Sequence, residues 1–174
     1  MASVDERFAK IKAIVMDVDG CLTDGKVIYG DEQLEIKSFD VKDGLGIAIA
    51  HNAGLTTAII TGRTSQAVAR RARELKIKEV FQGFSGKVAA WDELKKRHNL
   101  QDDEIAYLGD DLLDLQLLLR AGVSFAPADA VREVLSRVDI VLERKGGNGA
   151  LRETIETILK GQGRWEKIVE KYCI

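Results

Sequence analysis

The sequence predicts an α/β fold, a doubly wound parallel sheet, on three observations. Strand-like and helical patterns alternate along the chain, the rhythm of a sheet whose crossovers cover both faces. The strand candidates are short runs that are apolar throughout, as strands buried on both sides are. At 174 residues, 45% hydrophobic and 31% charged, the chain is long enough to bury a core without staples. Disordered chains and small disulfide scaffolds are thereby excluded.

Each element follows from its own pattern. Ala13-Ile14-Val15-Met16 is an apolar strand that ends at Asp17. Residues 26–29 and 34–39, joined by 30–33, read as a β-hairpin placed before any crossover helix. Helix 43–53, strand 56–60, helix 65–75, strand 79–81, helix 86–98 and the strand Ile105–Leu108 come next. Helix 112–121, the strand Val123–Ala126, helix 129–135, strand 139–142 and helix 150–159 complete the series. There is one proline, Pro127, and no linker-like tract or internal repeat, so a single domain over 1–174, with the hairpin insert at about 26–39, is expected.

The hairpin breaks the βαβ rhythm. In it the apolar Leu34, Ile36 and Phe39 are interleaved with Glu35, Lys37 and Ser38, so one face calls for burial. Packing against another subunit or against its own domain would supply it; the marginal stability of an isolated hairpin favours the former.

Charge and composition exclude several classes. A formal charge of −2 lacks the basic footprint of a nucleic-acid binder. No hydrophobic run exceeds four residues, and Asp5, Glu6, Arg7 and Lys10 stand where a secretion signal would have an apolar core. Neither membrane span nor signal is expected. Cys21 and Cys173 form no close pair, as for reduced thiols in a cytoplasmic protein, and a structural zinc site is not expected.

The informative feature is where the acids lie. Asp17-Val18-Asp19-Gly20 follows the first strand directly, and Gly109-Asp110-Asp111 with Asp114 follows another apolar strand in the same way. Open α/β sheets place their ligand sites at the carboxyl ends of strands. Carboxylates gathered there repel one another unless a cation sits among them, and hard oxygen ligands suit Mg2+. The alternative, that each Asp caps the following helix, accounts for one cluster more readily than for two.

Other strand ends carry parts suited to phosphate. Thr61-Gly62-Arg63 offers a hydroxyl, an approachable backbone and a guanidinium, and Lys87 opens a helix after Gly83-Phe84-Ser85-Gly86. Singly, each is compatible with an ordinary turn or a solvated lysine. Together they point to phosphoryl transfer, with Asp17 as nucleophile and Asp19, two residues on, as general acid and base. Mg2+, Thr61 and Lys87 would offset the repulsion between carboxylate and phosphate.

These motifs, in this order, resemble those of the haloacid dehalogenase-like phosphatases, over nearly the whole chain. More narrowly, the stretch from Asp17 to Gly25, the hairpin, Lys42-Asp43-Gly44-Leu45-Gly46, Ile60-Thr61-Gly62-Arg63 and the run from Gly146 to Glu153 resemble the 3-deoxy-D-manno-octulosonate 8-phosphate phosphatase subfamily. The resemblance implies a Rossmann-like sheet without a separate cap domain, and hydrolysis of a sugar-acid phosphate in lipopolysaccharide precursor synthesis. It also implies a cytoplasmic homotetramer assembled through the hairpin. It makes Asp17, Asp19 and Asp110 the metal ligands, Asp19 through its carbonyl, and puts Asp111 and Asp114 behind them. Thr61 and Lys87 would hold the phosphoryl group, and Asp19, Asp40, Val41, Lys42, Asp43, Gly44, Ala48, Gly62, Arg63, Arg71 and Lys87 would meet the substrate.

For Arg71 a solvated helix face shared with Arg70 and Arg73 is the competing reading, and residues 146–149 read equally as a flap at the site or as a loop that starts a helix. Cys21 replaces the valine often found in the subfamily and reads as core filler, while Gly86 stands where the subfamily frequently has Asp, which loosens the loop before Lys87. Two rival functions share these parts. One is a phosphatase for a nine-carbon sialic-acid-type sugar phosphate. The other is a phosphoaspartate receiver domain, against which stand Asp19 and the hairpin.

Overall fold

The computed structural model describes residues 4–31, 34–84 and 86–173. Six parallel strands form one sheet in the order β5-β4-β1-β6-β7-β8, where β1 is Ala13–Met16, β4 Thr56–Thr61, β5 Glu79–Gln82, β6 Ile105–Leu108, β7 Val123–Ala126 and β8 Ile140–Val141. β1 lies between β4 and β6, with Met16 level with Ile59 on one side and Leu108 on the other. From β1 the strand order runs outward in opposite directions, so a crevice opens at its carboxyl end.

The all-apolar strands are explained by two cores. Successive side chains of a strand point to opposite faces. Ile14 and Met16 accordingly join Ile47, Ile59, Leu108, Phe125 and Ile155 on one face, while Ala13 and Val15 join Ile60, Phe81, Trp91, Leu94 and Tyr107 on the other. Helices α2 (Val41–Asn52), α3 (Gln66–Glu74) and α7 (Ala150–Gly161) cover the first face, and α4 (Lys87–His98), α5 (Leu115–Leu118) and α6 (Arg132–Leu135) the second. Trp91 is fully buried edge-on to Tyr107 at 5.9 Å, and its indole N–H donates to Asp102 at 2.7 Å, so a large aromatic is buried without an orphan donor.

Three departures from the expected elements have physical causes. Residues 112–121 do not form one helix: a 3-10 turn, Leu112–Asp114, precedes the single-turn α5, because Asp111 caps the turn while the Asp114 side chain is drawn inward. Residues 129–131 lie outside α6, since Ala130 closes a turn onto Pro127 and Val131 N–H donates to Asp110 O. Two short helices escaped the periodicity reading, α1 (Val4–Phe8) and α8 (Trp165–Glu170), each too short to establish a period. α1 nevertheless anchors the fold, because Phe8 is buried and packs near Phe125.

The hairpin forms a separate two-stranded sheet of β2 (Ile28–Tyr29) and β3 (Glu35–Ile36), with Ile28 opposite Ile36 and Tyr29 opposite Glu35. Residues 32 and 33 of its expected tip lie outside the described residues. Its facing inverts the usual rule. Ile28, Tyr29, Leu34 and Ile36 are exposed, whereas the side chains of Glu35 and Lys37 turn inward.

Candidate active site

Asp17 is the first residue beyond β1, and its N–H donates to Leu108 O at 3.0 Å, which continues the β1–β6 pairing and holds it against the end of β6. Its side chain is buried. Asp110 lies just past the end of β6, so the two acidic clusters singled out in the sequence meet: oxygens of Asp17, Asp110 and Asp114 lie within 4.8 Å of one another. Gly20 makes this approach possible. A Cβ there would stand 2.0 Å from Asp110 Oδ2, and its φ of +89° lies in the region that glycine tolerates best.

The three carboxylates are not equivalent. Asp114 Oδ1 accepts from Lys87 Nζ at 2.6 Å and from the Tyr107 hydroxyl, and its Oδ2 accepts from the N–H groups of Asp110 at 3.0 Å and Asp111 at 3.2 Å. Its acceptor positions are therefore in use. Asp17 Oδ1 is buried 2.9 Å from Lys87 Nζ, an ion pair outside ideal hydrogen-bond geometry, and among the described residues it meets no other donor. Among the described residues, the Asp110 carboxylate accepts a hydrogen bond only from the weak thiol donor of Cys21, at 3.6 Å.

Burial, the nearby Asp114 charge and incomplete compensation by Lys87 raise the Asp17 carboxyl to about 6. Burial, Asp114 and Asp17 raise Asp110 to about 7. Carboxylates that resist ionising side by side, two with oxygens to spare, fit a divalent cation. Asp17 and Asp110 are the residues of this cluster that could hold Mg2+.

Lys87 begins α4 and its side chain is 5% exposed, so the loop ahead of it delivers a buried cation despite Gly86. Burial works against its charge, but Asp17 and Asp114 outweigh that and raise its pKa. Thr61 is buried at the end of β4, and Gly62 and Arg63 follow at the surface. Asp111 caps the 3-10 turn reciprocally: its carboxylate accepts from Leu112 N–H at 2.7 Å and from the Asp114 N–H, while the Asp114 side chain accepts from the Asp111 N–H.

Asp19 points elsewhere. Its Oδ1 pairs with Lys37 Nζ and its Oδ2 lies 3.5 Å from Arg63 Nε. Glu35 meets the same two cations, at 3.6 Å from Lys37 and 3.4 Å from Arg63.

The substrate segment is built around Asp40, which caps α2 by accepting from Lys42 N–H at 2.7 Å. Arg71 is held against it: its NH2 donates to Asp40 O at 3.5 Å, and its guanidinium lies over the Phe39 ring at 5.9 Å. Arg71 is thus packed on the α2 start, and it shares Glu74 with the far more exposed Arg70. Val41 and Lys42 are exposed, Gly44 is buried close to Arg71, and Ala48 lies on the exposed side of α2. Asp43 is buried and accepts from Arg152 N–H at 2.7 Å, while its Oδ2 has no hydrogen-bond partner among the described residues; burial and the neighbouring Asp40 raise it to about 6.

Residues 146–149 form a packed connection into α7. Gly147 N–H donates to Cys21 O and Gly146 N–H to Asp129, and a Cβ on Gly146 would stand 1.8 Å from Gly20 O. The sequence reading missed Tyr107, Glu35 and Lys37. A buried tyrosine hydroxyl leaves no sequence signal, but Glu35 and Lys37 are spaced i, i+2 in a strand, a spacing read only for its apolar residues.

A doubly wound sheet with paired carboxylates, a threonine and a lysine at its strand ends defines an aspartate-based phosphotransferase or phosphohydrolase of the haloacid dehalogenase-like class. The sequence profile of haloacid dehalogenase-like hydrolases matches residues 77–153. The chain is 39% identical over 163 residues to 3-deoxy-D-manno-octulosonate 8-phosphate phosphatase KdsC of Yersinia pestis, covering 94% of this chain and 87% of that protein. The crystal structure of the Moraxella catarrhalis phosphatase of that name, in complex with magnesium ion, phosphate ion and KDO, superposes with a TM-score of 0.94 at 38% identity, covering 97% of both chains. The cobalt-bound Haemophilus influenzae phosphatase matches with a TM-score of 0.88 at 42% identity, over 91% of this chain and 93% of that one. This chain belongs to the 3-deoxy-D-manno-octulosonate 8-phosphate phosphatase family.

Proposed function

We propose that this chain hydrolyses 3-deoxy-D-manno-octulosonate 8-phosphate to the free sugar acid and phosphate, a step in lipopolysaccharide precursor synthesis, with Mg2+ bound. The observation that carries the reading is the buried Asp17 carboxylate at the end of β1, 2.9 Å from Lys87 Nζ and beside Asp110. Asp17 attacks phosphorus, the P–O ester bond breaks, and the leaving alkoxide takes a proton from Asp19. A water then gives a proton to Asp19 and attacks phosphorus, the bond to Asp17 breaks, and phosphate leaves. Lys87 and Thr61 hold the phosphoryl oxygens, Asp114 holds Lys87, and Arg63 and Arg71 with the Asp40-to-Gly44 segment receive the sugar acid. Bound Mg2+ neutralises charge on the phosphoryl group and on Asp17.

Phosphate release from a panel of phosphorylated sugar acids, with and without Mg2+, tests this. The octulosonate ester is expected to give the highest kcat/KM, and only with Mg2+. A higher kcat/KM for a nine-carbon sialic-acid-type ester would reassign the substrate, and a stable phosphoprotein without turnover would favour the receiver reading.

The same reading includes a cytoplasmic homotetramer joined through the hairpins and a single catalytic domain. Exposed Ile28, Leu34 and Ile36 on one side of the hairpin support assembly, since scattered apolar exposure is ordinary but a whole hairpin face is not. Two free cysteines accord with a reducing compartment, and among the described residues no helix is long and apolar enough to cross a membrane.

A further inference from the structure

The hairpin turns its charged residues inward, and the charges it delivers close a ring. Lys37 pairs with Asp19 and Glu35, and Arg63 pairs with the same two carboxylates, so two anions and two cations alternate around four contacts. The two cations differ. The Lys37 side chain is 0% exposed, whereas that of Arg63 is 46% exposed and also reaches the Tyr29 hydroxyl at 3.3 Å. A buried ammonium is tolerated only where partners meet it, so Lys37 is tied to its place by Asp19 and Glu35. Arg63, nearly half exposed, can exchange these carboxylates for an anionic ligand.

We propose that Lys37 is a positioning residue for Asp19, fixing that carboxylate from the hairpin through Oδ1 and leaving Oδ2 as the oxygen released to the reacting ester when Arg63 turns to substrate. This rests on the reading of Asp19 as the acid–base group. The hairpin thereby acquires a second role. Its outward apolar face is free for assembly while its inward face sets the orientation of a reacting carboxylate. Ring closure through Glu35 keeps β3 registered on the site, because Glu35 and Lys37 leave the strand on the same side.

The test uses the full chain with Mg2+ and two substrates, the sugar-acid phosphate, whose alkoxide needs a proton to leave, and p-nitrophenyl phosphate, whose phenolate does not. kcat/KM reports the steps through formation of the phosphoryl-enzyme, so a misplaced general acid shows as dependence on the leaving group. Lys37→Met is expected to lower kcat/KM for the sugar-acid phosphate by about 100-fold, with the loss in kcat rather than KM, and to leave the aryl ester nearly unchanged. Lys37→Arg, which keeps a cation, is expected to restore most of the activity. Equal losses on both substrates, or no loss on either, would overturn the positioning role.

Asp19→Asn separates the role of Asp19 from that of Lys37. If Asp19→Asn shows no leaving-group dependence, the acid–base reading fails and the role of Lys37 falls with it. If Asp19→Asn shows the dependence and Lys37→Met does not, Lys37 alone is overturned. Should Lys37→Met not fold, the same ratio of rates is read on Lys37→Gln.

Discussion

Lys87 Nζ lies 2.6 Å from Asp114 Oδ1, so the cation that faces Asp17 is itself held by a carboxylate that accepts four hydrogen bonds. Replacing Lys87 with methionine leaves two buried carboxylates without their cation. Loss of about 3 kcal/mol in metal-free stability is expected, with a fall in kcat of about 1,000-fold as the phosphoryl group loses a charged donor. Chemical denaturation and steady-state kinetics check the two effects, and wild-type kcat would remove Lys87 from the reaction.

In the metal-free protein, burial first and carboxylate repulsion second raise Asp17 to about 6 and Asp110 to about 7. Raised carboxyl values favour the folded state while protonated. That contribution is whole below the ordinary value of 3.8 and is lost as pH rises through about 6 and then about 7. Metal-free Tm should therefore decline between about pH 4 and about pH 8, and Mg2+ should restore more at the upper end, where it displaces no proton. Thermal unfolding in EDTA and in Mg2+ across this range reads the difference directly; parallel curves would contradict it.

Gly20→Ala places a Cβ 2.0 Å from Asp110 Oδ2 and forces an L residue to φ +89°. The variant should lose about 1–3 kcal/mol of stability and bind Mg2+ more weakly, because Asp110 is pushed aside. Gly54→Ala is the control, with φ +78° and nothing within 4 Å: it should share the stability loss and keep wild-type Mg2+ dependence. Activity titrated against Mg2+ tells them apart.

Asp43 is buried with one oxygen unpartnered, and burial, then Asp40, raise it to about 6 against the favourable Arg152 N–H. Above that pH the folded chain carries the Asp43 charge at a cost in stability. Asp43→Asn retains the acceptor for Arg152 and removes the charge, so stability should rise by on the order of 2 kcal/mol at about pH 8 and not at about pH 4. Urea denaturation at the two pH values checks it.

Ile36 stands opposite Ile28 with 47% and 50% of their surfaces exposed, on the outward side of the hairpin. Ile36→Lys should weaken assembly at least about tenfold in dissociation constant while the thermal transition of the subunit itself is retained. Light scattering over a dilution series reads the mass; an unchanged assembly would place the interface elsewhere.

Much of the fold and site was legible because short apolar runs ending in Asp17 and Asp110 carry both strand and function in a few residues. The six-strand sheet and the meeting of these clusters follow from that pattern. The resemblance set Asp110 apart from Asp111 and Asp114, but what distinguishes the last two, a cap and a saturated acceptor, is visible only in the turn that places them. The hairpin was legible as an insert, with an apolar face better suited to another subunit than to its own domain. The inward partners of Lys37 and Glu35 were not, because Asp19 and Arg63 are distant in sequence and meet them only in the fold.

The whole mechanism turns on Asp17 carrying the phosphoryl group. Mass spectrometry of protein quenched in acid during turnover of the octulosonate ester with Mg2+ is the decisive measurement. One added phosphoryl group is expected on the peptide that contains Asp17, absent from Asp17→Asn, which should also release no phosphate. A phosphoryl group on any other peptide, or undiminished phosphate release by Asp17→Asn, would contradict it.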